Sequence, residues 1–196
     1  MARCDVVVQC VDGSDEQGCR TLALPTSYSK LVPPLVARPD SSHPSATVNV
    51  TLNIIRIGHI DEDLGQVRLQ FETVLEWVEP RAKYQNLKLK TTLNSLTPED
   101  SEQLWQPVLA FDPTMEVIEE DVLVAVVREG GFVRSPLEVA EEVEVFEGGE
   151  NRLVARRVAW CTILCTFHLH WYPFDAQVIT LTYSASVTTM PFRCAA

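Results

Sequence analysis

The strictest constraint on this chain lies between Val67 and Trp77, where Val67, Leu69, Phe71, Leu75 and Trp77 alternate with Arg68, Gln70, Glu72 and Glu76. A period of two fits a strand with one buried face, because successive side chains of extended backbone point to opposite sides. Thr47 to Ile54 repeats the pattern, with Val48, Val50, Leu52 and Ile54 set against Asn49, Thr51 and Asn53. Leu87 and Leu89 alternate with Lys88 and Lys90 in a third strand. Val122 to Val127 and Val143 to Phe146 read as further strands, punctuated by the turns Glu129-Gly-Gly131 and Glu147-Gly-Gly149. Arg157 to Trp171 places Cys161, Ile163, Cys165, Phe167, Leu169 and Trp171 on one face, and Val178 to Tyr183 forms the last strand before a Ser/Thr-rich tail. The single helical signal is Thr97-Pro98-Glu99-Asp100: an N-cap, a proline at the first helical position and acids in the first turn. Pro107 limits that helix to one or two turns. Short strands with regularly spaced Gly and Pro turns predict an all-β antiparallel sandwich with one short helix on its N-terminal side.

A chain of 196 residues, 46% of them hydrophobic, has enough apolar mass for one such core or two small ones. Its net charge of −11 excludes nucleic acid and anionic membrane surfaces as partners, because the basic group Arg152, Arg156 and Arg157 is too small to offset the repulsion. The acidic run Glu138 to Glu147 carries valines at every second or fourth position and reads as a solvated face. No apolar run approaches the roughly 18 residues that cross a bilayer, and Met-Ala-Arg-Cys-Asp at the N-terminus lacks the apolar core of a signal peptide. No nucleophilic triad, phosphate-cradling glycine loop or carboxylate pair is visible, so the chain does not read as an enzyme. His168 and His170 share a strand face without a third ligand, a pair more typical of a surface than of a metal site.

The cysteines point to an oxidising compartment, since Cys4, Cys10 and Cys19 crowd the first nineteen positions. The stretch Cys4 to Cys19, with Asp15-Glu16 after Gly13-Ser14, resembles the C-terminal half of an LDL-receptor class A repeat. That resemblance implies calcium held by Asp5, Asp15 and Glu16 with the Val7 carbonyl, the oxygen-rich cage a hard cation demands. It also implies a Cys4 to Cys19 bridge, while Gln9 replaces one ligand aspartate and the first half of the repeat is missing. A secreted-style chain that starts inside a cysteine module reads as a fragment or an incomplete gene product. Residues 1–20 are therefore assigned to the partial repeat, residues 21–45, rich in Pro, Ser and Ala, to a linker with a docked segment around Tyr28, and residues 46–196 to the β-domain.

The segment Cys165-x-Phe167-x-Leu169-x-x-Tyr172-Pro173-x-Asp175 resembles the signature loop of the Cys-loop, or pentameric, ligand-gated ion channels. Trp77-Val-Glu79-Pro-Arg81 is similar to that family's Trp-x-Asp-x-Arg, and Leu104-Trp105-Gln-Pro107 to its Ile-Trp-x-Pro-Asp. The resemblance implies an immunoglobulin-like sandwich, truncated at its C-terminus, from the extracellular ligand-binding domain of a neurotransmitter-type channel subunit. It implies location on the extracellular face of the plasma membrane, with membrane helices lying outside this chain. Implied partners are other subunits in a homo- or hetero-pentamer and a small-molecule ligand, with no required cofactor. The alternative of the same fold is a soluble secreted ligand-binding protein without channel activity.

By the same resemblance, the signature loop comprises Cys165, Gln177 and Ile179, and its tip Tyr172, Pro173, Phe174 and Asp175 carries the coupling to the pore. Position 179, where the family closes its disulfide to Cys165, is isoleucine. Such a bridge is worth about 3 kcal/mol, so Ile179 must compensate by apolar packing or leave the loop looser. Cys165 is then a free thiol or the partner of another cysteine such as Cys194. Cys161 is excluded as an in-strand partner, because four residues span roughly 13 Å and a disulfide tolerates about 7 Å between Cα atoms. The aromatic positions of the family's ligand pocket fall on Glu72, Asp112 and Ser186, none of them aromatic, with Phe111 beside Asp112 as a substitute ring. Asn49-Val50-Thr51 is a glycosylation sequon, and strand parity places Asn49 on the wet face.

Overall fold

A computed structural model describes residues 10–11, 21–35, 46–111, 116–134, 144–167, 170, 174, 176–185 and 188–193. Its strands are β1 (Leu22–Ala23), β2 (Val48–Asp61), β3 (Gln66–Val78), β4 (Lys83–Gln85), β5 (Leu109–Phe111), β6 (Glu116–Val126), β7 (Phe132–Arg134), β8 (Glu144–Glu147), β9 (Arg152–Leu164), β10 (Thr182–Ala185) and β11 (Thr188–Arg193). A helix α1 (Pro98–Gln103) and a 3-10 turn (Thr91–Leu93) complete the described elements. Three sheets form, in the orders β1-β4-β8-β7, β11-β10-β5 and β2-β3-β9-β6. The fold is an all-β sandwich with one short helix.

The β3 alternation is obeyed along its whole length. Val67, Leu69, Phe71, Thr73, Leu75 and Trp77 are buried, and every residue between them is wetter. Thr73, polar in an apolar row, is accommodated because its hydroxyl donates to the Arg157 carbonyl at 3.4 Å. At α1 the Thr97 hydroxyl accepts from the Asp100 amide at 3.2 Å, satisfying one of the donors a helix start leaves unpaired.

Other strand expectations are corrected. Leu87 to Lys90 is not a strand: Leu87 is buried while Leu89 is exposed. Asn86 adopts φ 54, which turns the chain out of β4. The buried Asn94 side chain then occupies the backbone groups a ladder would have used, accepting from the Lys88 amide and donating to the Lys88 and Val126 carbonyls. β9 stops at Leu164 rather than Trp171, and the last expected strand starts at Thr182 rather than Val178. The Ser/Thr-rich tail adds a strand that pairs back antiparallel, Tyr183 opposite Phe192 and Ala185 opposite Thr188. Pro191 is tolerated there because β11 is an edge strand, whose outer amides need no partner.

β2 runs seven residues past the expected end at Ile54, and its parity slips within it. Asn53 reaches Glu72 on the outer face of β3, yet Arg56 and Gly58 also lie on that face, against Trp160. Positions 53 and 56 share a face only if one residue between them drops out of alternation.

The described chain divides into two compact units. One comprises residues 1–48, 76–105 and 123–154, the other 49–75, 106–122 and 155–196. The first is centred on Trp77, Tyr84, Leu87, Val126, Phe146 and Leu153, all fully buried. The second is centred on Leu69, Phe71, Ala159, Cys161 and Ile163.

Candidate functional site

The candidate site residues that the structure describes belong to the second unit. Cys165 and Ile179 both pack, half-buried, on the Leu69-Phe71-Ala159-Cys161-Ile163 cluster, together with Phe111 and Leu181. The two ends of the signature loop thus rest on one apolar floor without a sulfur bridge. Burial raises the thiol pKa of Cys165, and pushes that of the deeper Cys161 up to about 11, so both favour the protonated thiol at neutral pH.

The start of the loop is also tied by its backbone. The Cys165 amide donates to the Gly65 carbonyl at 2.7 Å, at the end of the β2–β3 turn. Gly65 has φ +62, and a Cβ there would stand 2.6 Å from the Cys165 carbonyl oxygen, so this approach requires glycine. The turn itself is closed by the Leu64 amide donating to the Asp61 carboxylate at 2.9 Å. Beyond Cys165, Gln177 is half-buried and Val178 exposed. Phe174 is 91% exposed, a full aromatic ring offered to solvent. Tyr172, Pro173 and Asp175 lie outside the described residues.

The pocket positions point two ways. Glu72 leaves the outer face of β3, where its carboxylate accepts from Asn53 at 3.1 Å and pairs with Arg156 at 3.2 Å. Phe111 packs on Phe71 at 5.4 Å and on Tyr183 at 6.4 Å, on the opposite side of β3. The structure therefore does not bring Glu72 and Phe111 together within one chain. Asp112, Ser186, Asp5, Asp15 and Glu16 lie outside the described residues. Asn49 is exposed on β2. His170 is exposed, and no group of metal-ligating residues forms among the described residues.

In the first unit, the sequence landmarks converge on a buried ion pair. Glu79, with no solvent exposure, takes two hydrogen bonds from the Arg81 guanidinium, a third from the Arg81 amide at 3.3 Å and a fourth from the Tyr28 hydroxyl at 3.0 Å. The Tyr28 oxygen in turn accepts from the Trp105 amide at 2.8 Å, and its ring lies under the Arg81 guanidinium at 4.6 Å. Trp77 meets Trp105 edge to face at 6.3 Å. Sequence reasoning named Trp77, Glu79, Arg81 and Trp105 only as landmarks; their mutual contacts show them to be one structural node. Leu24, Pro25, Tyr28 and Lys30 line an open groove of about 470 Å³ against Glu99, Glu102 and Gln103.

The chain belongs to the neurotransmitter-gated ion-channel ligand binding domain family, which it matches over residues 21–189. That family comprises extracellular-facing domains of oligomeric channel subunits that bind small-molecule ligands. A comparison with curated proteins finds no match. Among the described residues no helix is long and apolar enough to cross a membrane.

Proposed function

We propose that the chain is the extracellular domain of a pentameric ligand-gated channel subunit, binding its ligand between neighbouring subunits and passing the movement to the pore through Tyr172 to Asp175. The observation that carries the coupling role is the exposure of Phe174, a ring of this size left in water beside a chain segment that starts on a fixed apolar floor. Binding between subunits is supported by the opposite directions of Glu72 and Phe111 from β3. Groups on opposite faces of one strand cannot line one pocket in one chain, whereas two copies can present one face each. With Glu72 paired with Arg156 and hydrogen-bonded by Asn53, this position is polar where an aromatic cage would hold a bare cation.

The experiment is expression of the full transcript in a cell without related channels, with ligand screening by current. Phe174→Ala is expected to weaken maximal current at unchanged surface expression and unchanged ligand binding. Ligand-binding protein recovered from the medium instead of the cell surface, with no current in any subunit combination, refutes the channel reading in favour of the soluble binding protein.

A further inference from the structure

Seven arginine side chains are described, and five of them have evident partners. Arg81, Arg152, Arg156 and Arg157 face carboxylates, and Arg128 donates to the Leu87 carbonyl at 3.0 Å. Arg56 and Arg68 are different. Both guanidinium groups lie over the indole of Trp160, at 4.6 and 4.7 Å from its centroid, and neither pairs with a carboxylate among the described residues. In a chain of net charge −11, two cations left without acidic partners and gathered on one ring are a departure that needs a reason.

The platform is built, not incidental. Trp160 leaves the outer face of β9, opposite its buried neighbours Ala159 and Cys161. Its Nε1 donates to Glu120 Oε1 at 2.8 Å, and Gln70 donates to Glu120 Oε2 at 2.6 Å, so both oxygens of the carboxylate that fixes the ring are engaged. At the other end the ring slides over Gly58, where a Cβ would stand 3.1 Å from Cζ3. The slip in alternation between Asn53 and Arg56 is what brings Arg56 and Gly58 to this face. Two guanidinium groups on one ring repel each other, and each keeps its forked N–H edge for an acceptor outside the described chain.

We infer that Arg56, Arg68 and Trp160 form a binding site for a small carboxylate, separate from the Glu72 and Phe111 positions. A carboxylate matches the guanidinium fork edge to edge and relieves the repulsion between the two arginines. Its single charge suits a site that also contains Glu120, whereas the second charge of a sulfate or phosphate dianion meets that carboxylate and the acidic protein around it.

The test follows the Trp160 indole N–H resonance, assigned with Trp160→Phe, during titration of the whole chain with sodium acetate against sodium chloride at equal ionic strength. Acetate is expected to give a saturable shift that chloride does not. Arg56→Gln and Arg68→Gln are each expected to weaken it at least about tenfold. Gly58→Leu, which displaces the ring, is expected to abolish it, and Arg128→Gln to leave it unchanged, with circular dichroism confirming that each variant folds. A shift linear in acetate, equal in chloride, or intact in both arginine variants overturns the site. Saturation by sodium sulfate or phosphate but not by acetate overturns the assignment to carboxylates.

Discussion

The Glu79 carboxylate is held by Arg81 at two points, Nε to Oε1 and Nη2 to Oε2, each at 2.7 Å, while Glu79 itself has no contact with solvent. Arg81 gives two further donors to the Val32 carbonyl at 2.9 Å and the Ser29 carbonyl at 3.5 Å, so the pair also anchors the segment that precedes β2. Removing the guanidinium leaves a buried charge without compensation. Arg81→Ala is therefore expected to destabilise the domain by about 3–5 kcal/mol in urea titrations. A loss below 1 kcal/mol by rough estimate would mean that water reaches Glu79.

The same node makes stability depend on alkaline pH. Burial pushes the Tyr28 phenol from its ordinary 10.0 up to about 12, reinforced by the Glu79 charge and opposed by the Trp105 amide. A folded-state pKa above the unfolded one favours the protonated form, so this contribution is complete below pH 10 and is lost as pH rises towards 12. Denaturation midpoints measured across that window should fall more steeply for the native chain than for Tyr28→Phe. Parallel curves would rule the linkage out.

Tyr84 gives the opposite expectation. Its ring is fully buried and its hydroxyl has no hydrogen-bond partner among the described residues. A buried polar group without a partner costs about 1–3 kcal/mol. Tyr84→Phe keeps the ring and deletes that cost, so its urea midpoint should match or exceed the native one. A clear loss of stability would reveal a partner, such as a bound water.

Cys165 and Ile179 rest on the same cluster, and the bridge absent between them can be tested directly. Ile179→Cys is expected to oxidise with Cys165 and raise stability by about 3 kcal/mol over its reduced form. Thiol counting before and after reduction, with melting of both forms, reads the outcome. Failure to oxidise would show that the loop ends do not approach to bridging distance.

Asn49 is exposed on β2, which lies at the edge of its sheet. A glycan there would also shield an edge strand from pairing with another chain. Chain secreted from eukaryotic cells should lose mass on deglycosylation, and Asn49→Gln should abolish that change.

The sequence determined the elements whose cause is local. Strand β3 was legible because alternation is a direct consequence of extended backbone, and Thr97-Pro98 announced α1 because a cap satisfies amides a few residues away. The signature segment from Cys165 was legible as a pattern of residue types. Tertiary structure decided what depends on a distant partner. Leu87 to Lys90 alternates as well as any strand, yet Asn94 claims its backbone, and only packing places that asparagine beside Val126. The parity slip between Asn53 and Arg56 appears only when Trp160 lies against Gly58 and under Arg56. Arg68 looked like an ordinary polar position of its strand and Arg56 lay past the expected end of β2, because periodicity records which face a side chain takes and not which charges meet there. Charge pairing acts through space at a few ångströms, across strands that the chain joins only after long detours.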